Sequence, residues 1–196
     1  MAQAESNSNL PKIAISGIAG SFSEEAAAKF MRVESLQAET VYATTARDTM
    51  EMVATGKVQY GVVPLENSNG GIVVETVYAS ADFLYHIEGI LEIDVHQNLI
   101  VKPGSKRETI QKIVSHHQAL AQCKFYLRRS WPKIEHVEYA DTALAAKDLA
   151  EGKLEPNVAV IASATAAKLY GLEILEPSIQ DLKFNFTSFM IISKHD

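Results

Sequence analysis

Four short polar runs in this chain carry the residue types that bind or transform small polar molecules. The first is Gly17-Ile18-Ala19-Gly20-Ser21-Phe22-Ser23. Its glycines let backbone approach a ligand, and Ser21 with Glu24 has the spacing of a capping box, so a helix start there offers N–H groups to an anion. Read alone, the same run is a tight turn followed by a helix cap. The second, Pro64-Leu65-Glu66-Asn67-Ser68-Asn69-Gly70-Gly71, is rich in directed donors and acceptors, and equally in turn formers. The third is Ser115-His116-His117-Gln118, whose imidazoles either titrate near neutrality or serve as structural hydrogen-bonders. The fourth, Asn185-Phe186-Thr187-Ser188-Phe189, sets two hydroxyls between aromatic rings, although a threonine is also an ordinary strand residue. None of these runs has the spacing of a metal site, a phosphate-binding P-loop or a nucleophile elbow.

Each run falls where a strand-like segment ends. Lys12 to Ser16 is a short apolar strand, followed by a helix from the Ser21 cap through Phe30. Thr45 and Asp48 form a second capping box, with Gly56 as a stop. Val58 to Val63 reads as a buried strand and Ile72 to Leu84 as a helix. Leu91, Ile93 and Val95 alternate with Glu92, Asp94 and His96, the period of a strand. That pattern runs on through Leu99 to Val101, long enough to suggest a strand that crosses between lobes. In the second half, strands are predicted at Ile113–Ser115, Ile134–Tyr139, Val158–Ala162 and Phe186–Ile192. Helices are predicted at Gln118–Ser130, Asp141–Glu151 and Ser163–Tyr170. Thr45-Ala46 with Ala54-Thr55-Gly56-Lys57 echoes Thr142-Ala143 with Ala150-Glu151-Gly152-Lys153; the echo reflects either common helix–turn–strand units or two similar lobes. Alternation of strand and helix predicts an α/β fold, with ligand bound beyond the carboxyl ends of the strands.

Composition narrows the partners. The chain has 196 residues, 47% hydrophobic and 21% charged, with a net charge of -6. An acidic balance argues against nucleic acid as a partner but not against an anionic small molecule, which responds to the local field of its pocket. The single cysteine, Cys123, admits no intrachain disulfide and suits a reducing compartment. No apolar run reaches the roughly 20 residues that span a bilayer. Residues 1–11 lack the pattern of a signal peptide and read as a loose tail, so the expected location is cytoplasmic. Unaided, the residues give an α/β protein with a polar cleft for an anionic or polar small ligand.

Taken together and in order, the runs resemble the prephenate dehydratase family. The resemblance extends from about Lys12 to Ile192. It is carried by Gly20-Ser21-Phe22-Ser23-Glu24-Glu25-Ala26-Ala27, Val63-Pro64-Leu65-Glu66-Asn67-Ser68, and Ser115-His116-His117-Gln118-Ala119-Leu120-Ala121-Gln122-Cys123. Asp141-Thr142-Ala143, Ala162-Ser163, Tyr170-Gly171-Leu172, Ile179-Gln180-Asp181, and Asn185 with Thr187-Ser188-Phe189 complete it. The resemblance implies two similar lobes with mixed, mostly parallel sheets, like a type II periplasmic binding protein, and a cleft between them. On that reading residues 12–95 and 178–196 form one lobe and 96–177 the other. It implies a lyase that turns prephenate into phenylpyruvate in phenylalanine biosynthesis without metal or organic cofactor, as a homodimer or larger homo-oligomer. Thr187 would assist departure of the ring hydroxyl, with Asn67 and Ser68 orienting it. Ser21, Ser23, Glu66, Gly70, Gly71, Ser115, His116, His117, Gln118, Thr142, Ser188 and Phe189 would bind substrate.

Two departures from the family pattern stand out. Thr187-Ser188-Phe189 has serine where the family has an arginine expected to hold a carboxylate, and serine supplies neither its charge nor its two-pronged donors. His117 replaces a proline. The expectations are that His117 or Lys183 compensates, or that both face solvent. The alternatives are a non-aromatising prephenate decarboxylase, an arogenate dehydratase, or a degenerate binding protein. The chain ends soon after its last strand, so no regulatory domain and no feedback by phenylalanine through one are expected.

Overall fold

The computed structural model describes residues 10–195, so most of the expected tail, residues 1–9, lies outside it. The chain begins with β1 (Lys12–Ser16), α1 (Phe22–Val33), β2 (Glu39–Ala43), α2 (Ala46–Ala54), β3 (Tyr60–Asn67), the short β4 (Gly71–Ile72), α3 (Val74–Ser80) and β5 (Tyr85–Asp94). It then enters a second lobe with β6 (Asn98–Val101), β7 (Lys112–Ser115), α4 (His117–Gln122), α5 (Lys124–Ser130), β8 (Glu135–Glu138), α6 (Thr142–Ala150), β9 (Val158–Ala162), α7 (Ala164–Leu169) and β10 (Glu173–Glu176). The last strand, β11 (Phe186–Lys194), returns to the first sheet.

The two sheets have one design. The first runs β2-β1-β3-β11-β5, with β4 attached to β3, and the second, read from its far edge, runs β8-β7-β9-β6-β10. Pairing directions also correspond: β1 is parallel to β2 and β3, as β7 is to β8 and β9. The next two pairings are antiparallel in both sheets. The sequence echo is thus structural, because α2 packs on β1 and β3 as α6 packs on β7 and β9. The sheets are mixed as expected but not mostly parallel. Parallel pairing stops at β3 and β9, because β11 and β6 arrive across the lobe boundary and not through a helical crossover.

Each sheet is buried on both faces. Ile13, Ile15, Val62, Phe189 and Ile191 pack under α1, whereas Ala14, Val63, Met190 and Ile192 meet α2 and α3. In the second lobe, β9 is buried along its whole length, which explains its unbroken Val-Ala-Val-Ile-Ala sequence. The long alternating run is two strands in different sheets, β5 and β6, joined through Val95, His96 and Gln97, so the expected crossing is there. The helix expected over Gln118–Ser130 breaks at Cys123, and the Asp181 carboxylate accepts the N–H groups of Phe125 (2.8 Å) and Tyr126 (2.7 Å) at the second segment's start. The helix expected over Ile72–Leu84 is shorter, because Gly71–Ile72 pairs with β3 and Tyr85 already belongs to β5.

Away from the crossings the lobes touch at the β1–α1 turn. Ser163 Oγ donates to the Gly20 carbonyl (2.7 Å) and Tyr170 Oη to the Ala19 carbonyl (2.7 Å). Gly20 has φ +86, and a Cβ there would lie 3.0 Å from Ala166 Cα, so both backbone and space require glycine. No described helix is long and apolar enough to cross a membrane.

Candidate active site

A cavity of about 220 Å³ lies between the lobes at the carboxyl ends of β1, β3 and β7. Its floor is a register pair, Thr187 on β11 opposite Asn67 on β3. Asn67 is buried and makes hydrogen bonds from every polar side-chain atom. Its Oδ1 accepts the N–H groups of Asn69 (2.9 Å) and Gly70 (2.8 Å). Two backbone donors leave one orientation for the amide, so Nδ2 must be the atom facing Thr187. That nitrogen donates to Thr187 Oγ1 (2.9 Å) and Asn185 Oδ1 (2.9 Å). Thr187 Oγ1 therefore accepts from Asn67, and its own proton is available to a ligand.

A β-bulge brings these groups to the cleft. Phe189 pairs with Pro64 and Ser188 with Glu66, so Leu65 is the extra residue on β3. The bulge lets Pro64 and Asn67, three residues apart, face the same cavity. Ser68 holds this corner from outside, its N–H donating to the Phe186 carbonyl (2.8 Å) and its Oγ accepting the Phe186 N–H (3.0 Å).

The other walls come from helix starts. Ser21, the N-cap of α1, accepts the Glu24 N–H at 3.3 Å, and Ser23 lies in the first turn. Gly17 has φ +130, and a Cβ there would lie 3.0 Å from Ser21 Oγ. His116 caps α4 and Asp141 caps α6, just before Thr142. Helix first turns leave N–H groups without intrahelical partners, and residues from the starts of these three helices line one cavity. Burial holds His116 below the ordinary imidazole range, helped by His117, while Asp141, Glu75 and Glu138 act against the shift. Phe22, Val73, Val95 and Phe189 supply apolar surface.

Of the expected site residues, the structure brings Ser21, Ser23, Asn67, His116, Gln118, Thr142, Thr187 and Phe189 to the cavity. Ser115 is fully buried, and its Oγ donates to the Ile161 carbonyl (2.6 Å), pinning β7 to β9. Gly71 turns the chain into β4 with φ +77. Gly70 and His117 line an adjoining cavity of about 500 Å³ with Phe125, Asp181 and Leu182. Glu66 and Ser188 do not reach the cleft. β11 keeps unbroken register against β5 from Phe186 to Ile191, so Ser188 points away from the face of Thr187 and Phe189. Its lateral neighbours are Glu66 on one side and Glu92 on the other. Ser188, like His117 and Lys183, lies outside the lining of the main cavity.

Sequence reasoning missed Ser16, Gln97, Gln122 and Asp141, which line the cavity. It quoted Asn185 without a role, yet this fully buried amide bridges Asn67, the Val95 carbonyl (3.1 Å) and Gln122 Oε1 (3.0 Å). Signals existed. Gln97 continues the buried phase of Val95 and Leu99, where an apolar residue belongs, and Gln122 follows Gln118 on one helix face.

A family model for prephenate dehydratase matches residues 13–196. The bifunctional chorismate mutase/prephenate dehydratase of Neisseria gonorrhoeae is 35% identical over 184 residues, covering 94% of this chain and 50% of that protein. Arogenate dehydratase 5, chloroplastic, of Arabidopsis thaliana is 34% identical over 199 residues, covering 99% of this chain and 44% of that protein. The chain thus spans about half the length of the curated relatives it matches. Among solved structures, the prephenate dehydratase of Arthrobacter aurescens in complex with L-Phe superposes with a TM-score of 0.85 at 25% identity, over 94% of this chain and 60% of that one.

Proposed function

Since this chain belongs to the prephenate dehydratase family, we propose that it is a carbon–oxygen lyase that removes carbon dioxide and the ring hydroxyl from prephenate to give phenylpyruvate. The observation that carries the reading is the hydrogen bond from Asn67 Nδ2 to Thr187 Oγ1 (2.9 Å). It turns the threonine proton toward the cavity. Hydroxide is a poor leaving group, and a donor placed at the departing oxygen strengthens as charge develops there. The carbon–carbon bond to the ring carboxyl breaks, its electron pair enters the ring, and the carbon–oxygen bond breaks opposite it. Aromatisation drives the step, so no cofactor is required by the chemistry.

On this reading Thr187 touches the leaving hydroxyl and Asn67 orients Thr187. Asn69 and Gly70 hold Asn67, and Ser68 pins the corner through Phe186. Ser21, Ser23, Thr142, His116 and Gln118, with the first-turn N–H groups of α1 and α6, receive the carboxylates. The apolar wall of Phe22, Val73 and Phe189 suits the ring. Glu66 and Ser188 take no part. The residue ranges 12–95 with 178–196, and 96–177, describe the lobes that close on substrate. A homodimer in a reducing compartment such as the cytoplasm accompanies the reading, supported by the exposed Phe125, Leu182 and Phe184 beside the second cavity. Arogenate is a second substrate, supported by the relatives named arogenate dehydratases.

The test is product identity after incubation with prephenate at neutral pH, read by absorbance and mass, with Thr187→Ala as control. Phenylpyruvate above background that disappears in the control is expected. A non-aromatic, hydroxylated keto acid would make the chain a decarboxylase instead, and unchanged prephenate and arogenate would end the dehydratase reading.

A further inference from the structure

The amides around the cavity form a relay with one possible orientation. Asn67 Oδ1 is fixed as an acceptor by two backbone N–H groups. Gln122 Nε2 donates to it (3.3 Å), so Gln122 Oε1 must accept. It does, from Asn185 Nδ2 (3.0 Å) and Gln97 Nε2 (3.0 Å). Gln97 Oε1 is what remains at the end of the relay. Gln97 is 3% exposed and lines the cavity, and its Oε1 has no donor among the described residues. Among the described residues the other buried side-chain atom in that condition is Ser16 Oγ, in the same cavity. A hydroxyl can turn to donate, but an amide oxygen only accepts.

A ligand that brings a donor would satisfy Gln97. Prephenate carries one, the ring hydroxyl. Placing an acceptor on that group would build negative charge on the oxygen that has to depart, against the action of Thr187. The α-amino counterpart, arogenate, carries an ammonium. Among the described residues the lining includes no lysine or arginine but does include Asp141, one of whose carboxylate oxygens is taken by the Leu144 N–H (2.9 Å). Such a wall is better matched to a ligand that carries its own cation than to a dianion.

We propose that Gln97 is a specificity-determining residue that accepts a hydrogen bond from the substrate's side-chain ammonium, so that the cleft favours the α-amino form over the α-keto form. The inference rests on the dehydratase reading. An unpaired buried acceptor in the keto complex lowers kcat/KM by about tenfold or more relative to the amino complex.

The experiment compares kcat/KM for arogenate and prephenate in the wild type and in Gln97→Leu. The expected wild-type ratio is at least about tenfold in favour of arogenate. In Gln97→Leu the ratio collapses toward parity, through a raised KM for arogenate. Gln122 Oε1 keeps its Asn185 donor in the variant, so the rest of the relay stands. Parity or a prephenate preference in the wild type would overturn the proposal, and this arm needs no variant to fold. Equal losses on both substrates in a folded Gln97→Leu would also overturn it. A wild type that turns over neither substrate refutes the dehydratase reading itself, and this inference with it.

Discussion

Asn67 and Thr187 sit opposite each other on β3 and β11, and the amide gives its proton to the hydroxyl. The direction of that bond is set by two backbone N–H groups on the far side of the amide, so the polarity of the cleft is decided by the turn at Asn69 and Gly70.

Asn67→Asp keeps the size of the side chain and removes its donor. A carboxylate would face Asn185 Oδ1 and Thr187 Oγ1 with no proton to share. The expected result is a fall in kcat of about a hundredfold and a loss of roughly 1–3 kcal/mol of stability. Steady-state kinetics and denaturant melts on one preparation read both. A variant with normal kcat would remove Asn67 from the orientation of Thr187.

His116 predicts a proton uptake. Its pKa lies below the ordinary 6.5 because of burial, then His117. The folded protein thus holds it neutral, while the unfolded chain is protonated as pH falls through 6.5. This residue's contribution to stability is present above that pH and lost as pH falls toward the folded pKa. An anion in the cavity favours the imidazolium, so binding takes up a proton and tightens as pH falls through the same window. Calorimetry in two buffers of different ionisation heat should give up to about one proton per ligand near pH 6.5, absent in His116→Gln. Binding without uptake in the wild type would show that His116 does not meet the anion.

Ser188→Arg tests the placement of the far face of β11. The guanidinium would lie between Glu66 and Glu92, both exposed. Exposed ion pairs contribute about 0–1 kcal/mol, so Tm should rise slightly and KM should change by less than about twofold. A large gain in substrate affinity would mean that position 188 reaches the cleft.

The order of elements was legible because β1, β3, β9 and β11 are apolar runs and because α1, α2, α6 and α7 begin at Ser, Thr or Asp caps. β2 and β10 were not seen. They are edge strands whose residues are mostly exposed or half-exposed, so no apolar phase marks them. At the site, the polar runs that hold Thr187, Asn67 and Ser21 could be picked out from local chemistry, and the roles of these residues followed from the family resemblance. Ser188 and Glu66 were misplaced because neighbours in sequence alternate in direction along a strand. Gln97, Gln122 and Asn185 carried no motif, since an amide's role here depends on partners 25 to 118 residues away.

The bulge at Leu65 has a consequence for how this chain can change over time. Upstream of it, Val62 and Val63 keep step with the sheet and answer only to packing. Downstream, the phase is reset, and Asn67 answers to the cleft and to the turn it holds. Were the bulge to close with Leu65 kept and paired to Ser188, the hydrophobic register upstream would stand while ordinary alternation turned the amide to the side that Glu66 now occupies, a silent core with an extinguished cleft. Foldability and reactivity thus occupy separate stretches of one strand, so the sheet can drift in sequence without disturbing the reacting groups.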